Sequence, residues 1–221
     1  MTDVYLEVGQ KRVFACAVDW PGWCRAGRDE SQALAALAAS ASHYALVAKQ
    51  AGLKFSSSGD SDFEVIQRVQ GSASTDFGVP GTVLALDLEP LDQPAAERLA
   101  RLVEACWAVF DRVVAGAPAE LRKGPRGGGR DRDKIVDHVV GAETMAYAAK
   151  LGLRLRQPEF DDAPAIAAAR AAISERLRTA AHGRRTTADP GWPPRYAARR
   201  IAWHALDHAW EIEDRTEPEQ A

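Results

Sequence analysis

The chain has 221 residues, 46% of them hydrophobic and 27% charged, and a formal net charge of -3. This composition is typical of a globular protein, and the length suits one large domain or a small domain joined to a medium-sized one. A slightly negative chain lacks the general attraction to phosphate backbones on which nucleic-acid-binding proteins depend. We therefore expect a small-molecule substrate as the partner and no nucleic acid.

The sequence contains no long apolar segment. One of the longest apolar runs, residues 33–39, is far shorter than the roughly 20 residues of a membrane span. Residues 1–5 lack the basic and apolar regions of a secretory signal. Of the 28 basic residues 22 are arginine, a bias typical of high-GC bacterial genomes. We expect a cytoplasmic bacterial protein that has no membrane partner.

Three cysteines, Cys16, Cys24 and Cys106, occur without a C-x-x-C pair. An odd number without paired spacing argues against both a disulfide framework and a zinc ribbon. The sequence therefore predicts three reduced cysteines.

The first ninety residues mix strand and helix patterns. Four β-favouring runs predict strands, of which the first two form a hairpin: residues 4–8, 11–17, 63–69 and 82–86. Between the hairpin and the third strand, Asp29 can cap a helix whose apolar residues recur at helical spacing as far as Gly52. The pattern predicts a small sheet covered by one helix.

Past Pro90 the periodicity becomes helical. Four stretches carry apolar residues at every third or fourth position: 94–116, 133–151, 162–181 and 195–214. Four helices in this length predict a four-helix bundle. The expected fold class is therefore α+β, with a small α/β domain over residues 1–90 and the bundle over residues 91–221.

Three of the five histidines have a spacing that suggests metal binding. His204 and His208 stand at i and i+4 on the last predicted helix, which places both imidazoles on one face. His138 lies among apolar residues, where an unpartnered imidazole would be costly to bury. A divalent metal would satisfy all three and keep coordination positions open. The alternative is that His138 hydrogen-bonds a carboxylate while the other two lie near the surface.

Acidic residues accompany the histidines. Asp137 and Asp207 directly precede two of them, while Glu143 and Glu211 follow on the same predicted helices. Such carboxylates can orient a metal-bound imidazole through its second nitrogen, and Glu211 is also a candidate fourth ligand. The alternative is that these acids are solvated surface residues.

A basic, glycine-rich segment, residues 122–134, precedes the predicted helix that carries His138. It contains six basic and two acidic residues, a local charge of +4 in a net-negative chain. Glycine permits close approach of the backbone to a ligand, and helix N-termini attract anions. Arg126, Arg130 and Arg132 are therefore candidates for holding an anionic substrate near the metal. The alternative is a solvated loop.

The histidine-bearing segments resemble those of the DinB-like (YfiT-like) metalloenzyme superfamily. The similarity rests on Asp137–Glu143 and Ile201–Glu211 and covers residues 91–215. It implies a four-helix bundle in which the three histidines bind one divalent metal, zinc or nickel. It also implies a thiol-dependent transferase or isomerase, for which mycothiol is the natural thiol in a high-GC bacterium.

The amino-terminal part, residues 3–50, resembles the HicB-like antitoxin fold. The similarity rests on a strand followed by an acid-x-Pro-Gly-Cys pattern, here Asp19 to Cys24, and then a small loop and a helix. Trp23 stands between the glycine and the cysteine, where the family commonly has cysteine directly. No ribbon–helix–helix tail follows, so the resemblance implies a packing or dimerisation module in a homodimer more than control of a toxin.

Two functions follow from these patterns. The first is a metal-dependent enzyme that acts on a small anionic substrate, with no catalytic residue assigned beyond the metal site. The second is a non-enzymatic metal-binding or regulatory protein whose α/β domain contacts a partner.

Overall fold

An antiparallel hairpin extended on both sides forms the sheet. The computed structural model describes residues 1–56, 63–124 and 128–216. Within these ranges the strands lie in the order β3, β2, β1, β4: β1 (Thr2–Val8), β2 (Val13–Ala17), β3 (Cys24–Gly27) and β4 (Phe63–Gln70). β1 and β2 pair antiparallel, with Val8 opposite Val13, which confirms the predicted hairpin. β4 runs parallel to β1.

Two short helices replace the single helix predicted after the hairpin: α1 (Glu30–Ala39) and α2 (Ala41–Gln50). The predicted cap is present, because the Asp29 carboxylate accepts a hydrogen bond from the Gln32 backbone N–H at 2.8 Å. The break falls at Ser40, whose hydroxyl donates to the Leu37 carbonyl at 2.8 Å and accepts from the Trp23 indole at 3.1 Å. A serine that bonds back to the preceding turn commonly bends a helix.

Residues 82–86 do not form the predicted strand. This part of the chain contains instead a short helix and a 3₁₀ turn: α3 (Ala73–Phe77) and Ala85–Leu88. The buried Glu7 carboxylate accepts hydrogen bonds from the backbone N–H groups of Gly81 and Thr82, at 3.1 and 2.9 Å. In a sheet, a neighbouring strand would pair with these N–H groups. Here the Glu7 side chain pairs with them instead, so the segment is held without forming a strand.

Four long helical stretches follow, as predicted: α4 (Gln93–Gly116); α5 (Arg132–Gly141), a π-helical turn (Ala142–Tyr147) and α6 (Ala148–Lys150) in one continuous run; α7 (Ala163–Arg178); and α8 (Pro194–Thr216). α4 lies against α7 and α8, and α5 lies against α8. In the described part of the chain, no helix is both long and apolar enough to cross a membrane. The α+β class is confirmed, whereas the DinB-like bundle and the HicB-like module stay predictions.

One continuous hydrophobic core joins the sheet to the helices. It includes Val4 and Leu6 of β1, Leu37 of α1, Phe110 of α4 and Leu206 of α8, each at most 1% exposed. Burial of such side chains is the main favourable contribution to folding. The sheet and the helical part are therefore held together by shared apolar contacts. The division into domains 1–90 and 91–221 stays a prediction.

A buried ion pair connects the 3₁₀ turn to α8. The Arg199 guanidinium donates to both carboxylate oxygens of Asp87, one of the two bonds measuring 2.7 Å. The Arg199 side chain is 8% exposed and that of Asp87 is fully buried. Asp87 also accepts from the Leu84 backbone N–H, and the guanidinium lies over the Tyr5 ring of β1. The pair thus ties together three segments that are distant in sequence.

The prediction of three reduced cysteines is wrong for two of them. Cys16 and Cys24 form a disulfide, because the antiparallel pairing of β2 and β3 places them directly opposite each other. They show no motif in the sequence, and only the register of the two strands brings the sulfur atoms together. Cys106 is free and buried in α4, and burial raises the pKa of its thiol.

Thiol titration with DTNB checks this assignment. Native protein without reductant is expected to show no reactive thiol, since Cys106 is buried and its pKa is raised. Unfolding should expose one thiol per chain, and unfolding after reduction should expose all three cysteines. A Cys16→Ser/Cys24→Ser variant is the control, because after unfolding it should show one thiol whether or not it has been reduced. Three thiols in the unreduced, unfolded chain would contradict the disulfide.

Candidate metal centre

Three histidines from two helices meet where α5 lies against α8. The Nε2 atoms of His138 and His204 are 3.3 Å apart. The ring centroid of His208 lies 5.0 Å from that of His138 and 4.8 Å from that of His204. One nitrogen from each ring lies within 4.8 Å of the other two. The three histidines are therefore close enough to bind one metal ion.

Helix geometry explains part of this arrangement. His204 and His208 lie one turn apart on α8, so their side chains project from one face. His138 precedes Val139, which is fully buried, and α5 packs against α8 at this level. His204 is only 6% exposed, and His138 is half-buried. The apolar packing of two helices thus brings the third imidazole to the other two.

The spacing of two of the three nitrogens suits a tetrahedral metal. With metal–nitrogen distances of about 2.0–2.1 Å, two ligands of a tetrahedral zinc ion lie about 3.3–3.4 Å apart. The Nε2 atoms of His138 and His204 have this separation. The other nitrogen of His204, Nδ1, is buried and has no hydrogen-bond partner among the described residues. Three protein ligands would leave a position for water or a substrate.

Both His138 and His204 have lowered pKa values. Burial is the largest cause for each, and positive charge on the neighbouring His208 adds to it. His204 is the more deeply buried, and its pKa lies well below the ordinary value. Because a metal binds only the neutral imidazole, surroundings that keep both rings unprotonated favour metal binding near neutral pH.

Glu211 orients His208. Its carboxylate accepts a hydrogen bond from His208 Nδ1 at 2.8 Å and another from Arg215 at 2.8 Å. The bond from His208 is the main reason why the pKa of Glu211 is lowered. With the proton held on Nδ1, Nε2 of His208 is free to act as a ligand. Of the two roles predicted for Glu211, the geometry favours orientation over direct ligation.

We expect Glu211→Ala to weaken zinc binding by about 10- to 100-fold, the usual effect of removing a carboxylate that orients a metal-bound histidine. Competition with a chromophoric zinc chelator measures the affinity. Asp137→Ala is the matched control, because the exposed Asp137 carboxylate accepts a hydrogen bond from Gln157, at 2.7 Å, and not from a histidine. Unchanged affinity in Glu211→Ala would contradict the orienting role.

The other two predicted acids have different surroundings. Asp207 is half-buried, and burial raises its pKa against nearby positive charges. Glu143 is fully buried in the π-helical turn, where its carboxylate accepts from the Trp107 indole at 2.6 Å and from the Arg170 guanidinium at 3.1 Å. The cluster of potential metal ligands does not include Glu143. The structure therefore does not favour a role for Glu143 at the metal.

Two residues beside His204 were missed by the sequence patterns: Tyr147 and Arg200. The ring centroids of Tyr147 and His204 are 5.5 Å apart. The Arg200 guanidinium lies over the rings of Tyr147 and Trp203, at 5.5 and 4.8 Å from their centroids. Arg200 precedes His204 by one helical turn, a spacing that could have revealed it. Tyr147 comes from the π-helical turn, and no sequence signal marks it.

The three predicted anion-binding arginines differ in their placement. Arg126 lies outside the described residues. Arg132 bonds to a neighbouring aspartate at 2.8 Å and to a backbone carbonyl at 2.9 Å, so its guanidinium holds the loop. Arg130 is exposed, and its positive charge contributes to the lowered pKa values of His138 and His204. Of the two predicted arginines that the structure describes, Arg130 is therefore the one whose charge acts on the histidines.

No family model, curated protein or solved structure matches the chain. The site is therefore defined by its own geometry: three converging histidines, one orienting carboxylate and two nearby arginines.

Proposed function

We propose that the protein is a divalent-metal-dependent enzyme of the DinB-like type. The observation that carries this proposal is the convergence of His138, His204 and His208 within 4.8 Å of one another, with the first two at a spacing suited to a tetrahedral metal. A zinc or nickel ion bound there would supply a Lewis acid that polarises a substrate or lowers the pKa of a thiol. The three imidazoles would hold it, and Glu211 would fix the orientation of His208.

The surrounding charges favour a small anionic substrate. Arg130 and Arg200 both add positive charge near His204. Guanidinium groups bind carboxylates through paired N–H donors and also stabilise a thiolate by charge. The exposed Arg130 would bind the substrate anion, while Arg200, held between two aromatic rings, would supply a fixed charge. Mycothiol is the proposed co-substrate, in a transfer or isomerisation reaction.

Mycothiol binding and turnover test this proposal. Calorimetry of untagged protein should show mycothiol binding with zinc present and none after the metal is removed by a chelator. Transfer of mycothiol to 1-chloro-2,4-dinitrobenzene should depend on the metal, and His138→Ala should abolish it. Arg130→Met should raise KM, whereas Arg112→Met, an exposed site on α4, should not. Equal mycothiol binding with and without zinc would contradict the proposed role of the metal.

A non-enzymatic metal-binding or regulatory protein is the second candidate. One observation favours it: among the described residues, Glu211 is the only predicted acid with a hydrogen bond to a histidine of the cluster. In the described part of the chain, the centre thus has one orienting carboxylate, and none of the other three predicted acids bonds to its histidines. Stoichiometric zinc binding without any mycothiol binding or turnover would favour this candidate.

A further inference from the structure

A cavity of about 630 Å³ lies where the sheet meets the amino-terminal halves of α4 and α8. We propose that it binds an amphipathic carboxylate, a ligand with an aliphatic body and one carboxylate group. The residues that line it include none of the three histidines, so this site is separate from the metal centre. Its volume falls in the range of about 300–1,000 Å³ that is typical of small-molecule sites.

The apolar part of the lining is mainly aliphatic. Its aliphatic residues are Val18 after β2, Ile66 of β4, Leu86 and Leu91 of the segment before α4, and Ala95 and Leu99 of α4. Ile66 stays 45% exposed, although most large apolar side chains of this protein are buried. Open hydrocarbon surface inside a concave site favours a ligand that can cover it.

Trp20 is the single aromatic ring among the described residues that line the cavity, and it already has close neighbours. One face of Trp20 lies under the Arg98 guanidinium, at 4.8 Å from the ring centroid. The rings of Tyr44 and Phe55 contact Trp20 in edge-to-face geometry. At least one face of Trp20 is therefore occupied and closed to a stacking ligand. The lining favours an aliphatic chain over an aromatic or nucleobase ring.

Three guanidinium groups line the same cavity: Arg98, Arg195 and Arg199. Arg98 donates one N–H to a backbone carbonyl and Arg195 donates two, so each keeps further donors. Arg199 is only 7% exposed, and its Nε has no hydrogen-bond partner in the described part of the chain. A ligand carboxylate in the cavity would accept hydrogen bonds from the remaining N–H groups of Arg98 and Arg195, and the buried Arg199 adds positive charge beside them.

The acidic residues of the lining do not cancel this positive charge. They are Asp19 and Glu89. The Glu89 carboxylate is already paired with Arg184 at 2.6 Å. Two cations, Arg98 and Arg195, therefore face one further acid, the exposed Asp19, while the third arginine is balanced by its buried ion pair. The net charge favours an anionic head group.

Calorimetric titration of the full chain with decanoate, below its micelle concentration, tests the proposal. We expect saturable binding of one decanoate per chain. Decan-1-ol has the same aliphatic body without the charge, and its Kd should be at least about tenfold higher, because charge-assisted hydrogen bonds are lost. Absence of saturable decanoate binding, or equal affinity for the alcohol, would overturn the proposal.

A pair of variants at one position locates the ligand. Ile66→Asp and Ile66→Lys remove the same apolar contact from a half-exposed site but introduce opposite charges. The Kd for decanoate should be at least about tenfold higher in Ile66→Asp than in Ile66→Lys. Equal values in the two variants, with unchanged circular dichroism, would show that decanoate binds elsewhere.

A further pair of variants tests whether an arginine of the lining contributes to decanoate binding. Arg98→Met should raise the Kd for decanoate about tenfold, because a charged donor is lost from the lining. Arg112→Met, at an exposed position on the same helix, is the matched control and should leave the Kd unchanged. Equal Kd values in both variants would overturn the role of the cavity.

Discussion

Replacing His204 with alanine is expected to abolish stoichiometric metal binding. The substitution removes the buried ligand whose Nε2 lies 3.3 Å from that of His138, and two histidines alone cannot complete the site. Zinc affinity should fall by more than the roughly 100-fold that can follow loss of an orienting residue. Metal analysis of untagged protein after zinc loading and dialysis measures the stoichiometry. The unchanged protein should retain one ion per chain.

His43→Ala is the matched control for this substitution. His43 is exposed on α2 and is not part of the histidine cluster, so the variant should keep its metal. Thermal unfolding offers a second measurement. A ligand present at 100 times its Kd stabilises the folded state by about 2.7 kcal/mol, so zinc should raise the Tm of the control but not that of His204→Ala. Equal zinc binding by the two variants would contradict the proposed centre.

Breaking the ion pair between Asp87 and Arg199 is expected to lower the free energy of unfolding by about 3–5 kcal/mol. In Asp87→Ala the Arg199 guanidinium, only 8% exposed, would stay buried without its counter-charge. The Leu84 backbone N–H would also lose its acceptor. Urea unfolding followed by circular dichroism measures the loss.

Two comparisons show whether burial is the cause. The double variant Asp87→Leu/Arg199→Met should recover much of the lost stability, since an apolar pair of similar volume avoids the cost of desolvating charges. Arg68 pairs with Glu30 at 3.0 Å, but both side chains are exposed, so Arg68→Ala should change the free energy of unfolding little. A loss in Asp87→Ala as small as that in Arg68→Ala would contradict the importance of the buried pair.

The long helices could be predicted from sequence because the signals are local. An apolar stripe at helical spacing predicted residues 94–116 and 195–214, and α4 and α8 begin and end within two residues of those bounds. The placement of His204 and His208 on one face follows from the same periodicity. Two local predictions were wrong, the uninterrupted helix across Ser40 and the strand over residues 82–86, because side chains from elsewhere in the fold hold both segments.

The sequence could not show which of the acids beside the histidines bonds to an imidazole. Glu143 and Glu211 both follow a histidine of the cluster on the same helical run. Only Glu211 bonds to its histidine, whereas the π-helical turn directs Glu143 to Trp107 and Arg170. A π-helical turn rotates the following side chains relative to an α-helix, and its position depends on the packing around it.

The sequence by itself determined the helical part, the hairpin and the common helix face of His204 and His208. In each case the residues are a few positions apart, so local backbone geometry fixes how they are placed. Only the tertiary structure decided that His138 joins His204 and that Cys16 pairs with Cys24. Those contacts depend on how helices pack and on the register of strands. Helix packing and strand register are both set by the burial of a shared core. The spacing of residues along the chain does not show which distant residues share that core.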